Sequence, residues 1–224
     1  PRLDTYFRWV EEGHHADMDY LARDSARLSR SDPRRILPGC ESILVVAKSY
    51  LPENSSSLKH DDWSIAAYAA GDDYHKLIKD KLSALASQIQ AEVGEEVLHR
   101  EYTDTGPILE KAFAQQAGLG WVGKNGCLIN PQLGSYLFLG EILLDLPLAV
   151  DEPFTADYCG SCSACVKTCP TSCILPDRTL ESQRCISYLT IEHRGVIPPE
   201  QHNHIGSWLF GCDQGQDVWP WNQR

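Results

Sequence analysis

The cysteine-rich stretch at residues 159–170 constrains this chain more than any other feature. It reads CGSCSACVKTCP, a C-x2-C-x2-C-x3-C-P spacing. This spacing is typical of loops that bind [4Fe–4S] clusters, with three thiolates on one cluster and the fourth on a second. Zinc sites use paired C-x2-C knuckles instead, and disulfide frameworks belong to small secreted domains. The run therefore predicts an iron–sulfur site with the ligands Cys159, Cys162, Cys165 and Cys169.

The nine cysteines and the formal net charge of −11 restrict where the protein can be located and which partners it can bind. No apolar run approaches the roughly 20 residues needed to span a bilayer, and no secretion signal is recognisable in this sequence. We therefore expect a cytoplasmic protein with no membrane contact, whose thiols serve metals rather than disulfides. The acidic balance argues against indiscriminate nucleic-acid binding, yet it leaves room for a local basic groove.

A basic run near the N-terminus is the candidate for such a groove. Residues 4–30 predict two short helices broken around Gly13. Two interpretations of the run are open, a solvated helix face and a contact surface for the phosphates of a polyanion. The run consists of Arg23, Arg27, Arg30, Arg34 and Arg35.

The rest of the first 150 residues predicts a domain of mixed helices and strands. Strands are predicted at 42–47, 97–102 and within 127–144, with a turn near Asn130, and helices at 74–93 and 107–117; a further helix is predicted beyond this domain, at 180–191. Asp72 or Asp73 is the expected N-cap of the helix at 74–93. Ser49 and Tyr50 follow the first strand, where ligands of α/β sheets bind. Asp104 follows the second strand, where the spacing alone favours a helix-capping role.

Residues 118–125 form a glycine-rich loop that nearly matches the phosphate-binding pattern G-x4-G-K-[ST]. Asn125 replaces the hydroxyl that would hold Mg²⁺, and the segment follows a helix rather than a strand. A nucleotide-hydrolysing loop is therefore rejected. The remaining interpretation is a loop whose backbone can approach a large ligand closely.

Several motifs in combination resemble one enzyme family. They are YAAGDDYH at 68–75, DTGP at 104–107, AGLGWVGKN at 117–125, LGEIL at 139–143, RCISYLT at 184–190 and PWN at 220–222. Together with the cysteine run, the chain resembles the cobalamin-dependent epoxyqueuosine reductases, iron–sulfur enzymes of tRNA queuosine synthesis. The likeness covers nearly the whole sequence.

The resemblance implies an α/β (α+β) cobalamin-binding domain at residues 1–150, similar to that of reductive dehalogenases. A ferredoxin-like iron–sulfur module would follow at residues 151–224. The implied activity is reduction of epoxyqueuosine to queuosine at the wobble position of a tRNA anticodon loop, with an external electron donor. A protein can recognise such a substrate because the bases of a single-stranded loop are unstacked and accessible to its side chains. We expect the protein to be a monomer.

The resemblance also assigns the site residues. Asp104 corresponds to the family's proton donor, and a buried carboxylic acid with a raised pKa suits that role. This reverses the capping interpretation. The expected cobalamin contacts are Ser49, Tyr50, Asp104, Lys124, Asn125, Gly134 and Ser135.

Two expected cluster ligands are missing. The family carries a second run, C-x2-C-x3-C-P, where this chain has Gly215 and Trp219 at two of the cysteine positions. Each of the two [4Fe–4S] sites therefore keeps three thiolates. Cys173 is either a substitute ligand or a free buried thiol. The remaining ligands are Cys159, Cys162 and Cys165 for the first cluster, and Cys169, Cys185 and Cys212 for the second.

Two other functions fit the same motifs. One is an electron-transfer or cobalamin-carrier protein that has lost reductase activity, which the missing ligands favour. The other is a reductive dehalogenase-like enzyme that acts on a small halogenated substrate. Specific binding of tRNA would separate the reductase from both, and cobalamin binding without turnover would favour the carrier.

Overall fold

The computed structural model describes residues 2–51, 58–59 and 62–222 of the chain. No helix in these residues is long and apolar enough to cross a bilayer. The helices are α1 (Arg2–Glu11), α2 (Asp19–Ala22), α3 (Asp24–Ser31), α4 (Tyr74–Val93), α5 (Glu110–Gln116), α6 (Ala164–Thr168), α7 (Ile186–Ile191), α8 (Pro199–Ile205) and α9 (Gln214–Asp217). The strands are β1 (Ser42–Ser49), β2 (Leu58–Lys59), β3 (Ser64–Ile65), β4 (His99–Tyr102), β5 (Trp121–Val122), β6 (Leu128–Ile129), β7 (Leu137–Leu144) and β8 (Trp208–Phe210).

The main sheet has three strands in the order β1-β7-β4. Strand β7 is antiparallel to both neighbours, with Ser49 opposite Leu137 and Tyr102 opposite Glu141. Strands β1 and β4 therefore run in the same direction, and their carboxyl ends point to the same edge of the sheet. The mixed helix and strand content agrees with the sequence prediction, while the strand pairing is that of an antiparallel α+β sheet.

Helix α4 covers one face of this sheet. Its buried side chains Ile78, Leu82 and Ala86 pack against Ile142 and Leu144 of β7. The carboxylate of its N-cap, Asp73, accepts the backbone N–H of His75 at 3.0 Å. The predicted helix at 74–93 and its cap are both confirmed.

Helix α5 covers the opposite face and begins later than predicted. Its fully buried Ala114 packs with Val45, Leu128 and Leu139. The sequence predicted a start at Pro107 with a capping Thr105 or Asp104, and this was wrong. Asp104 has a φ of +58°, outside the helical region, and the helix begins only at Glu110 without a side-chain cap.

The N-terminal helices connect the two halves of the chain. Gly13, with a φ of +74°, ends the first helical segment as predicted, but three short helices follow one another instead of two. The Trp9 indole donates to the carbonyl of Leu180 at 2.7 Å, and Ser182 N–H donates to the carbonyl of His14 at 3.0 Å. These contacts hold α1 against the segment that follows the cysteine run.

Two further expectations hold in part. The chain reverses direction between Asn130 and Gly134, which exchange backbone hydrogen bonds of 2.9 and 3.0 Å, close to the predicted turn. The helix predicted at 180–191 is divided into a 3₁₀ turn at Ser182–Arg184 and α7. Cys185 separates the two parts because its backbone is extended, with a ψ of 127°.

The contact between α4 and β7 leaves no room for a side chain at Gly140. A Cβ there would lie 3.0–3.1 Å from methyl groups of Ile78 and Leu82. We expect Gly140→Ala to lower the free energy of unfolding by about 1–3 kcal/mol because the helix must move outward. Urea denaturation measures this change. Gly71→Ala is the control, since a Cβ there meets nothing within 4 Å and should change stability by no more than about 0.5 kcal/mol.

Candidate active site and metal centre

Asp104 lies on the turn that follows β4. Its φ of +58° is one that residues other than glycine rarely adopt. The turn is fixed from both sides, because the Asp104 N–H donates to Glu110 Oε1 at 2.5 Å and the Thr103 hydroxyl donates to the carbonyl of Leu139 at 2.7 Å. Backbone conformations of this kind cluster at functional sites, where the surroundings hold them in place.

The Asp104 carboxylate is at the surface of the protein rather than inside it. Its side chain is 67% exposed, so the expectation of a buried acid at this position was wrong. The Tyr74 hydroxyl donates to Asp104 Oδ2 at 2.6 Å, and His75 Nε2 lies 3.9 Å from the same oxygen. The Tyr74 ring is stacked on Phe138 at 4.3 Å, which fixes its hydroxyl beside Asp104.

Two acids that the sequence analysis did not identify, the fully buried Glu141 and the partly buried Glu110, lie near Asp104. Glu141 is fully buried in β7, and neither carboxyl oxygen has a hydrogen-bond partner among the described residues. Burial, with a further contribution from the charge of Glu110, raises the pKa of Glu141 to about 10. Burial raises the pKa of Glu110 to about 7. An acidic residue inside the apolar run of β7 is the sequence signal that could have revealed the pair.

Two cavities of different character meet at Asp104. One, of about 530 Å³, has mainly aromatic and aliphatic walls that include Tyr50, Tyr74 and Phe138. The other, of about 460 Å³, contains the cationic side chains of Arg2, Arg30 and Arg178. Asp104, Glu110 and Lys111 line both cavities. We refer to them as the aromatic cavity and the basic cavity. An apolar cavity with a few polar groups suits an organic cofactor, and a basic one suits an anionic ligand.

The structure brings only some of the predicted cobalamin contacts together. Tyr50 and Asp104 line the aromatic cavity, and Ser49 ends the strand beside Tyr50. Lys124 is used elsewhere, since its ammonium donates to the carbonyls of Gly160 at 2.8 Å and Cys162 at 2.7 Å. It therefore anchors the cysteine loop.

Asn125 is buried beside the other cysteines rather than in the aromatic cavity. Its Oδ1 accepts the N–H of Cys127 at 3.2 Å, while its Nδ2 has no partner among the described residues. Asn125 and Cys127 both line a cavity that also contains the second group of cysteines.

Gly134 and Ser135 hold the C-terminal segment in place. The Ser135 N–H donates to Asn222 Oδ1 at 2.7 Å, and Asn222 Nδ2 donates back to the Ser135 hydroxyl at 2.8 Å. Gly134 has a φ of +76°, and a Cβ on it would collide with Asn222 Oδ1. Neither residue lines the aromatic cavity, so their assignment as cobalamin contacts stays a prediction.

The residues of the aromatic cavity fit a large, flat macrocycle. Its lining includes the rings of Tyr50 and Tyr74, both packed on the ring of Phe138, and its described lining includes no histidine. This agrees with the sequence, in which Ile78 stands where the His-ligated cobalamin pattern D-x-H-x-x-G needs a glycine. The cavity also reaches Cys185, one of the predicted iron ligands.

The first group of cysteines packs around an indole. Cys159 and Cys165 are each 2% exposed and lie in one buried cluster with Trp219 and Trp121. The Trp121 indole donates to Cys159 Sγ at 3.4 Å. Trp219 is 3% exposed, and its own indole nitrogen has no hydrogen-bond partner among the described residues. With Cys162, this group offers three thiolates and no fourth.

The second group of cysteines surrounds a cavity of about 180 Å³. Cys173 is buried among this group, and its Sγ lies 3.5 Å from Cys169 Sγ. Its thiol lowers the pKa of Cys169 to about 4 and that of Cys185 to about 6 by hydrogen bonding. Thiolates are the form that binds iron. Burial raises the pKa of Cys212 to about 12, so the fit to an iron–sulfur cluster rests on the shared cavity, which is lined by the thiols of Cys169, Cys173, Cys185 and Cys212.

Comparison with known proteins decides the family. Residues 30–105 match the family described as epoxyqueuosine reductase QueG, DUF1730, and residues 158–222 match a 4Fe-4S double cluster binding domain. The epoxyqueuosine reductase of Leadbetterella byssophila is 45% identical over 222 residues, which cover 99% of this chain and 70% of that protein. The chain belongs to the epoxyqueuosine reductase family. The resemblance inferred from the motifs is thereby confirmed.

Other relatives agree with this assignment. The Pseudomonas aeruginosa epoxyqueuosine reductase is 45% identical over 96% of this chain and 60% of its own length. The Bacillus subtilis enzyme, solved with its catalytic loop swung out of the active site, has a TM-score of 0.87 at 29% identity over 99% of this chain and 58% of its own. An epoxyqueuosine reductase solved with an epoxyqueuosine-modified tRNA-Tyr stem loop has a TM-score of 0.85 at 29% identity, with the same coverage of both chains. The chain thus spans between 58% and 70% of the lengths of these relatives.

The two acids Glu110 and Glu141 make the stability of the protein depend on pH. The folded state raises both pKa values above the unfolded value of 4.5. The contribution of the two groups to the free energy of unfolding is therefore highest below pH 4.5, where both are protonated in the folded and the unfolded state. It is lost as the pH rises through the folded pKa of Glu110, about 7, towards that of Glu141. Glu141→Gln should therefore stabilise the protein more at pH 8 than at pH 5, by at least about 1 kcal/mol.

Urea denaturation of wild type and variant at the two pH values measures this difference. Glu96→Gln is the matched control, because Glu96 is exposed and its loss should leave the pH dependence of the wild type unchanged. Equal effects of Glu141→Gln at both pH values would contradict the assignment of a raised pKa to Glu141.

Proposed function

We propose that this chain reduces epoxyqueuosine to queuosine at the wobble position of tRNA, with Asp104 as the proton donor. The observation that carries the proposal is the position of Asp104 where the aromatic cavity and the basic cavity meet. A reductant held in the first and an anionic nucleic acid held in the second would both reach its carboxyl group. Membership of the epoxyqueuosine reductase family supports the same assignment.

Removal of an epoxide oxygen as water consumes two electrons and two protons. The oxygen would otherwise leave as an alkoxide, which is a poor leaving group, so a positioned acid lowers the barrier. Asp104 provides this proton, and the hydroxyl of Tyr74, 2.6 Å from Oδ2, fixes the direction of the carboxyl group. Glu110 holds the backbone of the same loop through the Asp104 N–H.

The proposed cofactors are cobalamin and iron–sulfur clusters, supplied with electrons by an external donor. When bound, cobalamin would supply a strongly reducing nucleophile, and iron–sulfur chemistry would supply its electrons. Tyr50, Tyr74 and Phe138 would hold the macrocycle in the aromatic cavity. A cytoplasmic location is part of this proposal, supported by the need to keep the thiols reduced for iron.

The basic cavity is the proposed site for the tRNA backbone. A relative of 29% identity was solved with an epoxyqueuosine-modified tRNA stem loop. Of the predicted arginine run, Arg30 lines this cavity together with Asp104, whereas Arg27 pairs with Glu11 and Arg34 pairs with Asp32. Arg30 is therefore the member of the run best placed to contact a phosphate next to the reacting nucleoside.

Asp104→Asn tests the proposed proton donor. Because the amide has the same shape but no acidic proton, we expect the turnover of epoxyqueuosine-modified tRNA to fall about 10²–10⁴-fold. Cobalamin and tRNA binding should remain close to wild type. Mass spectrometry of the nucleosides after single-turnover reactions measures the conversion, and difference spectra measure cobalamin binding.

Asp72→Asn is the control, since Asp72 is an exposed acid next to the true helix cap. It should leave turnover unchanged. Wild-type turnover by Asp104→Asn would refute the proposed role of Asp104. Cobalamin binding by the wild type with no conversion of modified tRNA would favour the carrier hypothesis instead.

Arg30→Gln tests the proposed phosphate contact. Loss of one phosphate contact should weaken tRNA binding severalfold and reduce the slope of log Kd against log salt by about one. Arg100→Gln is the control, because Arg100 is exposed on the far side of β4 and outside both cavities. Binding curves at several salt concentrations measure both effects. Identical salt slopes for Arg30→Gln and wild type would exclude Arg30 from the interface.

A further inference from the structure

The distribution of the nine cysteines over the fold is unequal. Of the three in the first group, Cys159 and Cys165 pack with Trp219, and the four of the second group surround the cavity of about 180 Å³. Of the remaining two, Cys127 lines that cavity from the side of the N-terminal domain, and Cys40 lies next to β1 in a separate cavity. The double-cluster domain that the chain matches would require two complete sets of ligands.

Cys173 occupies a position between other ligands of the second group. Its Sγ is 3.5 Å from Cys169 Sγ, and Cys185 and Cys212 line the same cavity. The spacing from Cys169 to Cys173 is C-x3-C, one of the spacings that occur within cluster-binding runs. All four thiols line one cavity, so a single cluster placed there could be reached from each of them.

Gly215 lies on the wall of the same cavity and contributes no donor. It is part of α9, its φ is not positive, and a Cβ on it would meet only the Cβ of Asn125, at 3.8 Å. A cysteine side chain would therefore fit at this position. The missing donor at 215 and the additional donor at 173 face the same space.

The first group differs because its fourth position is filled. The Trp219 indole is 3% exposed and packs directly with Cys159 and Cys165. An indole cannot ligate iron through its N–H group, which is a donor only. No other cysteine of the described residues lies in this cluster. These three thiols therefore have no fourth partner, and a large ring closes the space between them.

We propose that this chain carries a single [4Fe–4S] cluster, bound by Cys169, Cys173, Cys185 and Cys212, and that Trp219 replaces the other cluster. The inference rests on the iron–sulfur part of the proposed function and not on its reductase activity. Cys173 supplies the thiolate that Gly215 cannot. Each ligand releases its proton when iron binds.

The position of the retained cluster agrees with the proposed reaction. Cys185, Tyr68 and Ser187 line both the cysteine cavity and the aromatic cavity. The retained site is therefore the one that adjoins the space proposed for cobalamin. The site closed by Trp219 shares no lining residue with the aromatic cavity. Loss of the cluster at that site therefore leaves in place the cluster that adjoins the aromatic cavity.

Iron and acid-labile sulfide per chain, after anaerobic reconstitution without cobalamin or tRNA, test the proposal. Wild type should hold about four iron atoms, and Trp219→Cys should hold about eight. Cys173→Ala should retain at most about three, with the EPR spectrum of a three-iron cluster or none. Cys127→Ala is the matched control from the same cavity and should equal wild type.

The double variant Cys173→Ala/Gly215→Cys separates loss of a ligand from loss of folding. It should recover about four iron atoms, because the new thiol faces the same cavity. Full iron content in Cys173→Ala, about eight atoms in wild type, or no rise in Trp219→Cys would each overturn the proposal. These readings do not depend on turnover, so failure of the reductase assignment would be seen separately in the activity assay.

Discussion

Strand β7 is the constraint on which the rest of the structure depends. It pairs with β1 over its whole length and is the only sheet neighbour of β4 among the described residues. The register that sets Tyr102 opposite Glu141 therefore also sets where the loop with Asp104 leaves the sheet. Gly140, one residue earlier, lets α4 approach, and α4 carries Tyr74 at its first turn. One strand thus positions both the acid and the residue that orients it.

The same strand carries a free-energy cost. An ionised carboxylate at the position of Glu141, with no hydrogen-bond partner and no exposure, would be strongly unfavourable, so this group is held neutral. Glu110 lies between this neutral acid and the Asp104 loop, to which it is hydrogen-bonded. The conformation of the Asp104 loop and the protonation of Glu141 are therefore linked through the side chain of Glu110.

The sequence predicted the features that depend on neighbouring residues. The bounds of α4 follow from its apolar period and from Asp73, and the cysteine run at 159–169 follows from ligand spacing, whereas Cys185 and Cys212 were assigned from the family resemblance. The antiparallel pairing of β7 was not predictable, because strand order depends on contacts between distant segments. The start of α5 was missed because the positive φ of Asp104 leaves no local signal. Lys124 and Ser135 were expected at the cofactor, yet their partners lie 36 to 87 residues further along the chain.

Lys124 and its neighbours make the cysteine-rich half of the chain inseparable from the first. The Lys124 ammonium holds two carbonyls of the loop that carries Cys159 and Cys162, and Trp121 donates to the Cys159 thiol. Asn125 and Cys127 complete the wall around the second group of cysteines. A fragment excised at residue 151 would lose these contacts together. Assembly of the iron site therefore depends on the glycine-rich loop as well as on the cysteines themselves.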